Sequence, residues 1–591
     1  MKIKPSDEMI WKKYYPEEAL NFDYPKLNIY DAVYEENRNR LDSIAIEYEG
    51  NNIRYGDFFD KTEETIEKLK SKNVSKDDIV TMSMLMCPEF IYYWYALAKM
   101  NAISNPIDPR TSPEGIRHYI EEAESDLIIN NNLFTGKIIK AIGSDEKYKV
   151  LNSSLSTYSD KMPFVMGTLS GLMALRCESL SKKDSRFENT SELESHGLTH
   201  TDSEYIKDQP LTIVHTGGTT GTPKGVVLSH DNYNAMAYQY KESKIGFSPD
   251  DRFLLIMPPW ISYGSGMLHM SFITGMKVAI ISKLESKKMA DYVLKYQPQW
   301  FAGVPAHYKI VSNSKKIPKK GVSFLKGAAV GGDAMSDELY NKANDCLLDN
   351  GAKLGVYPGY ALTEVTSAFA VKQLGDYKAG SVGIPLPGTT CGIFKFDEEN
   401  LVTLDEELDY DQTGEICMRT PNMMLGYFKN EEKTNEVIKL HNDGNYWVHT
   451  GDLGHIDKDG FLYVDGRIKE MIIRHDGFKI YPSLIEKLVN SVDGVASTKV
   501  VGIDDHINNA GQIPKCYITL KPDCEQSEDV IIKNIKSICK ATLPEYYIEN
   551  MDVESIEKMP LTPIGKVDFR ALQAMNEESS KDIKRKSLFK K

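Results

Sequence analysis

The chain has 591 residues, past the size at which one hydrophobic core stops growing, so at least two domains are expected. With 41% hydrophobic and 26% charged residues it reads as soluble and globular, and 85 acidic against 71 basic residues leave a formal charge of −14, which argues against nucleic acid as the main partner. Eight cysteines lie far apart without a C-x-x-C pair or zinc-ligand spacing, so reduced thiols and a cytoplasmic protein are expected.

Residues 1–18 mix Lys, Glu, Asp and Pro and contain no apolar stretch suited to a secretory signal. From 27 to 132, amphipathic helical patterns (57–69, 88–99, 113–123) alternate with short apolar runs (79–84, 127–129), the rhythm of α/β layering. The longest greasy stretch, 162–175, is too short to span a bilayer and is broken by Pro163, Gly167 and Gly171. It reads as a buried or interfacial segment, with peripheral membrane contact as the alternative. Residues 179–208 turn polar and suggest a surface insertion. Strand-like runs follow at 211–214, 226–228, 253–257, 278–281 and 325–330, a second round of α/β. After 409 the pieces become shorter and β-like (414–418, 446–449, 461–464), and from 486 a compact helix-and-strand domain follows with strands at 498–503 and 516–520. The domain boundary is placed at 466–469. The final residues, with Lys581, Lys584, Arg585, Lys586, Lys590 and Lys591, read as a solvated basic tail, acidic lipid or RNA contact being the sharper reading.

The densest chemical signal is Thr216-Gly217-Gly218-Thr219-Thr220-Gly221-Thr222-Pro223-Lys224-Gly225, between two apolar strand candidates. Glycines let backbone amides approach a polyanion, threonine hydroxyls add donors and Lys224 adds charge, so the loop suits a triphosphate. A Walker P-loop would need G-x-x-x-x-G-K-[ST] leading into a helix; here Lys224 sits between Pro223 and Gly225 and a strand follows.

This segment resembles the phosphate loop of the adenylate-forming superfamily: acyl-CoA synthetases, peptide-synthetase adenylation domains and firefly-type luciferases. Further segments carry the resemblance from about Tyr55 to Arg570. Gly359-Tyr360-Ala361-Leu362-Thr363-Glu364 is similar to the segment whose tyrosine stacks on adenine, threonine meets the α-phosphate and glutamate holds magnesium, although Ala361 replaces the usual glycine. Gly331-Gly332-Asp333 resembles the glycine pair at the nucleotide and acyl carbonyl. Thr450-Gly451-Asp452 resembles the segment whose aspartate accepts the ribose hydroxyls. In Gly466-Arg467-Ile468-Lys469-Glu470 the resemblance implies that Arg467 reaches the ribose and Lys469 is the interdomain hinge. Gly477, Phe478 and Lys479 match the segment lining the coenzyme A tunnel, and Pro560-Leu561-Thr562-Pro563-Ile564-Gly565-Lys566 matches the C-terminal lysine loop, whose lysine bridges carboxylate and α-phosphate.

The resemblance implies an α/β fold with a large AMP-binding domain (1–465), a small mobile α+β domain (466–575) and the tail (576–591). It implies ATP and Mg2+ as needs, coenzyme A as acceptor, Lys566, Thr363, Glu364 and Lys224 as catalytic residues, and an acyl pocket at Trp260, Ile261, Tyr263 and Gly264. The expected reaction turns a fatty or aryl acid into an acyl-adenylate and then a thioester. A free-standing enzyme loading a carrier-protein thiol is the alternative. An amino-acid substrate is disfavoured because Pro258-Pro259-Trp260-Ile261-Ser262-Tyr263-Gly264 offers no acid to pair a buried ammonium. His230, His269 and His307 read as helix-start or pocket-wall residues rather than bases.

Overall fold

The computed structural model describes residues 4–153, 179–190, 200–216, 223–243, 245–281, 284–373, 378–505, 508, 510–522, 524–561 and 567–576. The apolar stretch 162–175 and the tail beyond 576 lie outside them. Two large sheets dominate the N-terminal part. In the nine-stranded one, the strands Ile44–Tyr48, Lys277–Ile280, Arg252–Leu255, Trp300–Gly303, Gly327–Val330 and Val356–Ala361 run parallel, with antiparallel strands at both margins. The eight-stranded sheet is parallel across Pro210–His215, Ile103–Pro106, Ile79–Ser83, Leu127–Asn131, Lys149–Ser153 and Phe187–Asn189, and antiparallel from Pro210–His215 through Gly225–Ser229 to Gly426–Tyr427.

Helices fill the space between these sheets. Ile29–Asn37, Tyr55–Ser71, Pro88–Lys99, His230–Glu242 and Ser262–Ile273 share one core with strand residues of both, including Met82 and Val278. Pro88 and Pro113 open their helices at a position where the missing N–H is not needed, and Ser112 caps the second by accepting from Gly115 N at 3.2 Å. The helix Ser262–Ile273 is buried nearly all round, so no polar stripe marks it in the sequence.

A six-stranded antiparallel sheet follows, built on Thr390–Asp397, Gly414–Arg419 and Tyr446–Ile456, and the strand Leu462–Arg467 pairs onto its Tyr446–Ile456 strand. The 3₁₀ turn Ile468–Glu470 comes next, and the small C-terminal domain lies further along the chain. There Val495–Asp504, Gln512–Leu520 and Asp552–Ser555 form a three-stranded sheet, with the helices Pro482–Asn490 and Glu528–Thr542 sharing its core around Ile485, Ile518 and Ile535. The architecture is thus mixed α/β, a large N-terminal domain followed by a small C-terminal one.

Candidate active site

The parallel strands of the nine-stranded sheet end at one edge, where ligands of open α/β sheets gather. Gly303 closes one strand and Gly331 follows the next, its amide donating to the Gly303 carbonyl at 3.1 Å. A Cβ on Gly331 would sit 3.7 Å from the Gly359 carbonyl and 3.8 Å from the Tyr263 hydroxyl, so Gly331, Gly359 and Tyr263 converge. Gly332 adopts a left-handed φ of 85°, while Asp333 is exposed and accepts from Ala334 N at 2.9 Å. Trp260 is nearly buried, with the Arg110 guanidinium 5.3 Å from its ring centroid; Ile261 is half-buried and caps the helix that carries Tyr263. Gly264 is required by packing, since a Cβ there would meet the Pro258 carbonyl at 1.9 Å.

Tyr360, on the strand Val356–Ala361, packs its ring edge-on against Phe369 with centroids 4.8 Å apart and donates its hydroxyl to Asp452 Oδ2. Asp452 is 2% exposed, and Arg467, directly opposite in the ladder, brings Nε to 2.8 Å from Oδ1. Burial pushes the Asp452 carboxyl above its ordinary range, with Arg467 opposing. Oδ1 is thus held by Arg467 and by no other donor among the described residues, so a ligand hydroxyl would reach it by displacing the half-exposed Arg467 side chain.

Thr363 and Glu364 lie on the 3₁₀ turn Thr363–Val365 immediately after the Tyr360 strand. One Glu364 oxygen accepts the Tyr427 hydroxyl at 2.7 Å, and the Lys224 ammonium stands 4.3 Å from the Tyr427 ring centroid. Burial lowers the Lys224 ammonium, the Lys469 charge lowers it further, and Glu364 opposes both. Sequence reading missed Tyr427, which lies on the two-residue strand Gly426–Tyr427 with no motif around it.

Around the phosphate loop the described residues form a closed hairpin: Thr216 N donates to the Lys224 carbonyl at 2.9 Å, and Lys224 N donates to Thr216 Oγ1 at 3.2 Å. The strand Gly225–Ser229 follows, as the sequence requires. Gly217, Gly218, Thr219, Thr220 and Gly221 lie outside the described residues. So does Lys566, although its loop is closed at the base by a Leu561–Val567 bridge and by Asp568 N donating to Pro560 O at 2.9 Å.

On the small-domain side, Lys469 is exposed and stands between two anchors. Arg467 is tied back to Asp452, while Glu470 is bound to Lys499 of the small domain at 3.1 Å. Gly477 has a φ of 83° with open space about it, Phe478 is 52% exposed and stacks on Tyr546 with centroids 4.7 Å apart, and Lys479 begins the strand Lys479–Ile480. Gly477 and Phe478 therefore face solvent in this arrangement. The three histidines are buried and bonded. His230 Nδ1 accepts from Ile29 N at 3.2 Å, His269 contacts the Tyr95 hydroxyl and Asn234, and His307, pushed down to about 4 by burial, accepts from Val304 N at 3.3 Å.

The sequence profile of the AMP-binding enzyme family matches residues 33–428, and that of the AMP-binding enzyme C-terminal domain matches 484–566. A long-chain-fatty-acid–CoA ligase of Salmonella typhimurium is 26% identical over 505 residues, 83% of this chain and 84% of that one. A probable 4-coumarate–CoA ligase of Dictyostelium discoideum is 25% identical over 533 residues, 87% of this chain and 89% of its own. Among solved structures, an anthranilate CoA ligase in complex with anthranoyl-AMP superposes with a TM-score of 0.75 at 19% identity, covering 94% of this chain and 98% of that one. With two thirds of its length matched by one family profile, the chain belongs to the AMP-binding enzymes.

Proposed function

We propose that the protein is an AMP-forming carboxylate–CoA ligase acting on a fatty or aryl acid. What carries the reading is the buried Asp452 carboxylate, met by the Tyr360 hydroxyl on Oδ2 and by the half-exposed Arg467 on Oδ1. A vicinal diol supplies donors to such a carboxylate, and an aromatic ring beside it suits a base. Glu364, Lys224 and the base of the Gly/Thr loop lie on the phosphate side of that arrangement.

In the first step a carboxylate oxygen attacks the α-phosphorus and pyrophosphate leaves. In the second the coenzyme A thiol, losing its proton, attacks the acyl carbon and AMP leaves. Two anions must meet in the first step, so cations and donors have to be fixed in advance. Lys224 and Lys566 supply charge, and the loop 216–225 supplies backbone amides. Magnesium, where bound, neutralises phosphate charge; Glu364 would hold it through the oxygen that Tyr427 leaves open. Since no cluster of three candidate ligands among the described residues includes Glu364, most of its coordination would come from phosphate and water. Lys469, between the Arg467 and Glu470 anchors, is where rotation would be absorbed, bringing first Lys566 and then Gly477 to the reacting centre.

The apolar wall of Trp260, Ile261 and Tyr263 favours an uncharged acyl body. The test is a panel of fatty, aryl and amino acids scored for coenzyme A-dependent AMP release. Turnover of fatty or aryl acids is expected, and activity confined to amino acids would overturn the reading.

A further inference from the structure

The ribose turn is a bulge, and it is held from beneath. Between Gly414–Arg419 and Tyr446–Ile456 the register runs Glu415 opposite Leu453 but Cys417 opposite His449, so Thr450, Gly451 and Asp452 together face Ile416 alone. Such a bulge re-aims a side chain and leaves backbone groups without ladder partners. Three contacts replace the ladder. Thr450 Oγ1 donates to the Ile416 carbonyl at 2.8 Å and accepts from the Asp452 N–H at 3.0 Å, and the Gly451 N–H, at a φ of 70°, donates to Glu415 Oε1 at 2.8 Å.

Glu415 is itself fixed. Its Oε2 lies 2.7 Å from His449 Nδ1, and His449 Nε2 lies 2.9 Å from His441 Nε2. All three side chains are more than nine-tenths buried, at 4%, 7% and 7% exposure. Because His449 Nδ1 must give its proton to a carboxylate, the contact between the two Nε2 atoms works only when one of them is protonated and the other is not. Burial raises the Glu415 carboxyl, but the bond and charge of His449, with the bonds from Thr403 and the Gly451 N–H, outweigh it and hold the group below its ordinary range, so the acceptor is a carboxylate.

We infer that Glu415, oriented by His449 and His441, is a positioning residue that pins the Thr450–Gly451–Asp452 bulge so that the Asp452 carboxylate meets a ribose diol. The inference rests on the ribose reading of Asp452 made above. Its action is on the diol and not on the base or phosphate, which separates it from a general structural role.

The experiment is calorimetric titration of the full-length protein, wild type, Glu415→Ala and Glu415→Gln, with AMP and with 2′,3′-dideoxy-AMP. Wild type should prefer AMP. Glu415→Ala should weaken AMP roughly tenfold, the scale of one lost buried hydrogen bond, while dideoxy-AMP changes less than about twofold. Glu415→Gln should keep most of the preference, because its amide oxygen accepts from Gly451 and its nitrogen donates to the other tautomer of His449. Should Glu415→Ala not fold, Glu415→Asp draws the carboxylate away from Gly451 and carries the same expectation. Equal weakening of both nucleotides, or an unchanged preference for AMP, in the Ala or Asp variant overturns the positioning role alone. A wild type that does not distinguish the two nucleotides overturns the ribose reading and the positioning role with it.

Discussion

Asp452→Asn separates a nucleotide residue from a structural one. The carboxylate is 2% exposed, takes the Tyr360 hydroxyl on Oδ2 and faces Arg467 Nε at 2.8 Å on Oδ1. Burial is the largest influence on it and raises its pKa, so the folded state binds the proton more tightly than the unfolded chain does. Ionisation therefore costs stability as pH rises from the unfolded value of about 4, and at pH 7 the native protein carries that cost. The amide carries none, its oxygen can still accept from Tyr360, and the half-exposed Arg467 is solvated on its own. The melting temperature of Asp452→Asn at pH 7 should thus equal or exceed that of wild type. Catalysis should suffer instead. Replacing a charged acceptor by a neutral one forfeits about 1.5 kcal/mol per ribose hydroxyl, roughly tenfold each, so KM for ATP should rise about tenfold to a hundredfold. Steady-state pyrophosphate release against ATP concentration, with thermal unfolding of the same preparation, reads both quantities. A melting temperature lowered by several degrees with KM for ATP unchanged would make Asp452 a structural counter-ion and refute the reasoning.

Lys566→Ala should slow adenylation about 10²–10³-fold, the cost of removing one preorganised contact from a charged transition state, while thioester formation from a supplied acyl-adenylate persists; separate assays of the half-reactions check this, and equal damage to both would count against it. Lys469→Pro, at the exposed residue between the Arg467 and Glu470 anchors, should keep ATP–pyrophosphate exchange within about tenfold of wild type and slow thioester formation far more. Gly477→Val forces a β-branched residue into a left-handed backbone at a cost of about 1–2 kcal/mol, with no clash to add to it, and should reduce thioester formation while leaving exchange intact.

What could be read from the sequence was what is linear. The helix Pro88–Lys99 was legible to the residue because a proline opens it and its apolar face is continuous, and the strand after Lys224 was legible in the apolar run 226–228, which itself argued against a Walker loop. The strand Tyr446–Ile456 was legible only as far as His449, because Thr450-Gly451-Asp452 reads as a turn whereas the chain bulges and continues the ladder. The pairing of Ile44–Tyr48 with Lys277–Ile280 joins segments more than two hundred residues apart, which no local period encodes. Residues of the site divide in the same way. Tyr360, Glu364 and Asp452 sit in recognisable segments, whereas Tyr427 reaches Glu364 across 63 positions and Glu415 reaches Gly451 across 36, each from an unremarkable strand.

The central claim, that a carboxylate is activated through its own oxygen at the α-phosphorus, is tested most directly by oxygen transfer. With an acid labelled by 18O in its carboxylate, and with ATP and coenzyme A, the account predicts AMP carrying one labelled oxygen, and unlabelled pyrophosphate. Label appearing in inorganic phosphate with ADP as the nucleotide product, or AMP without label, would contradict it.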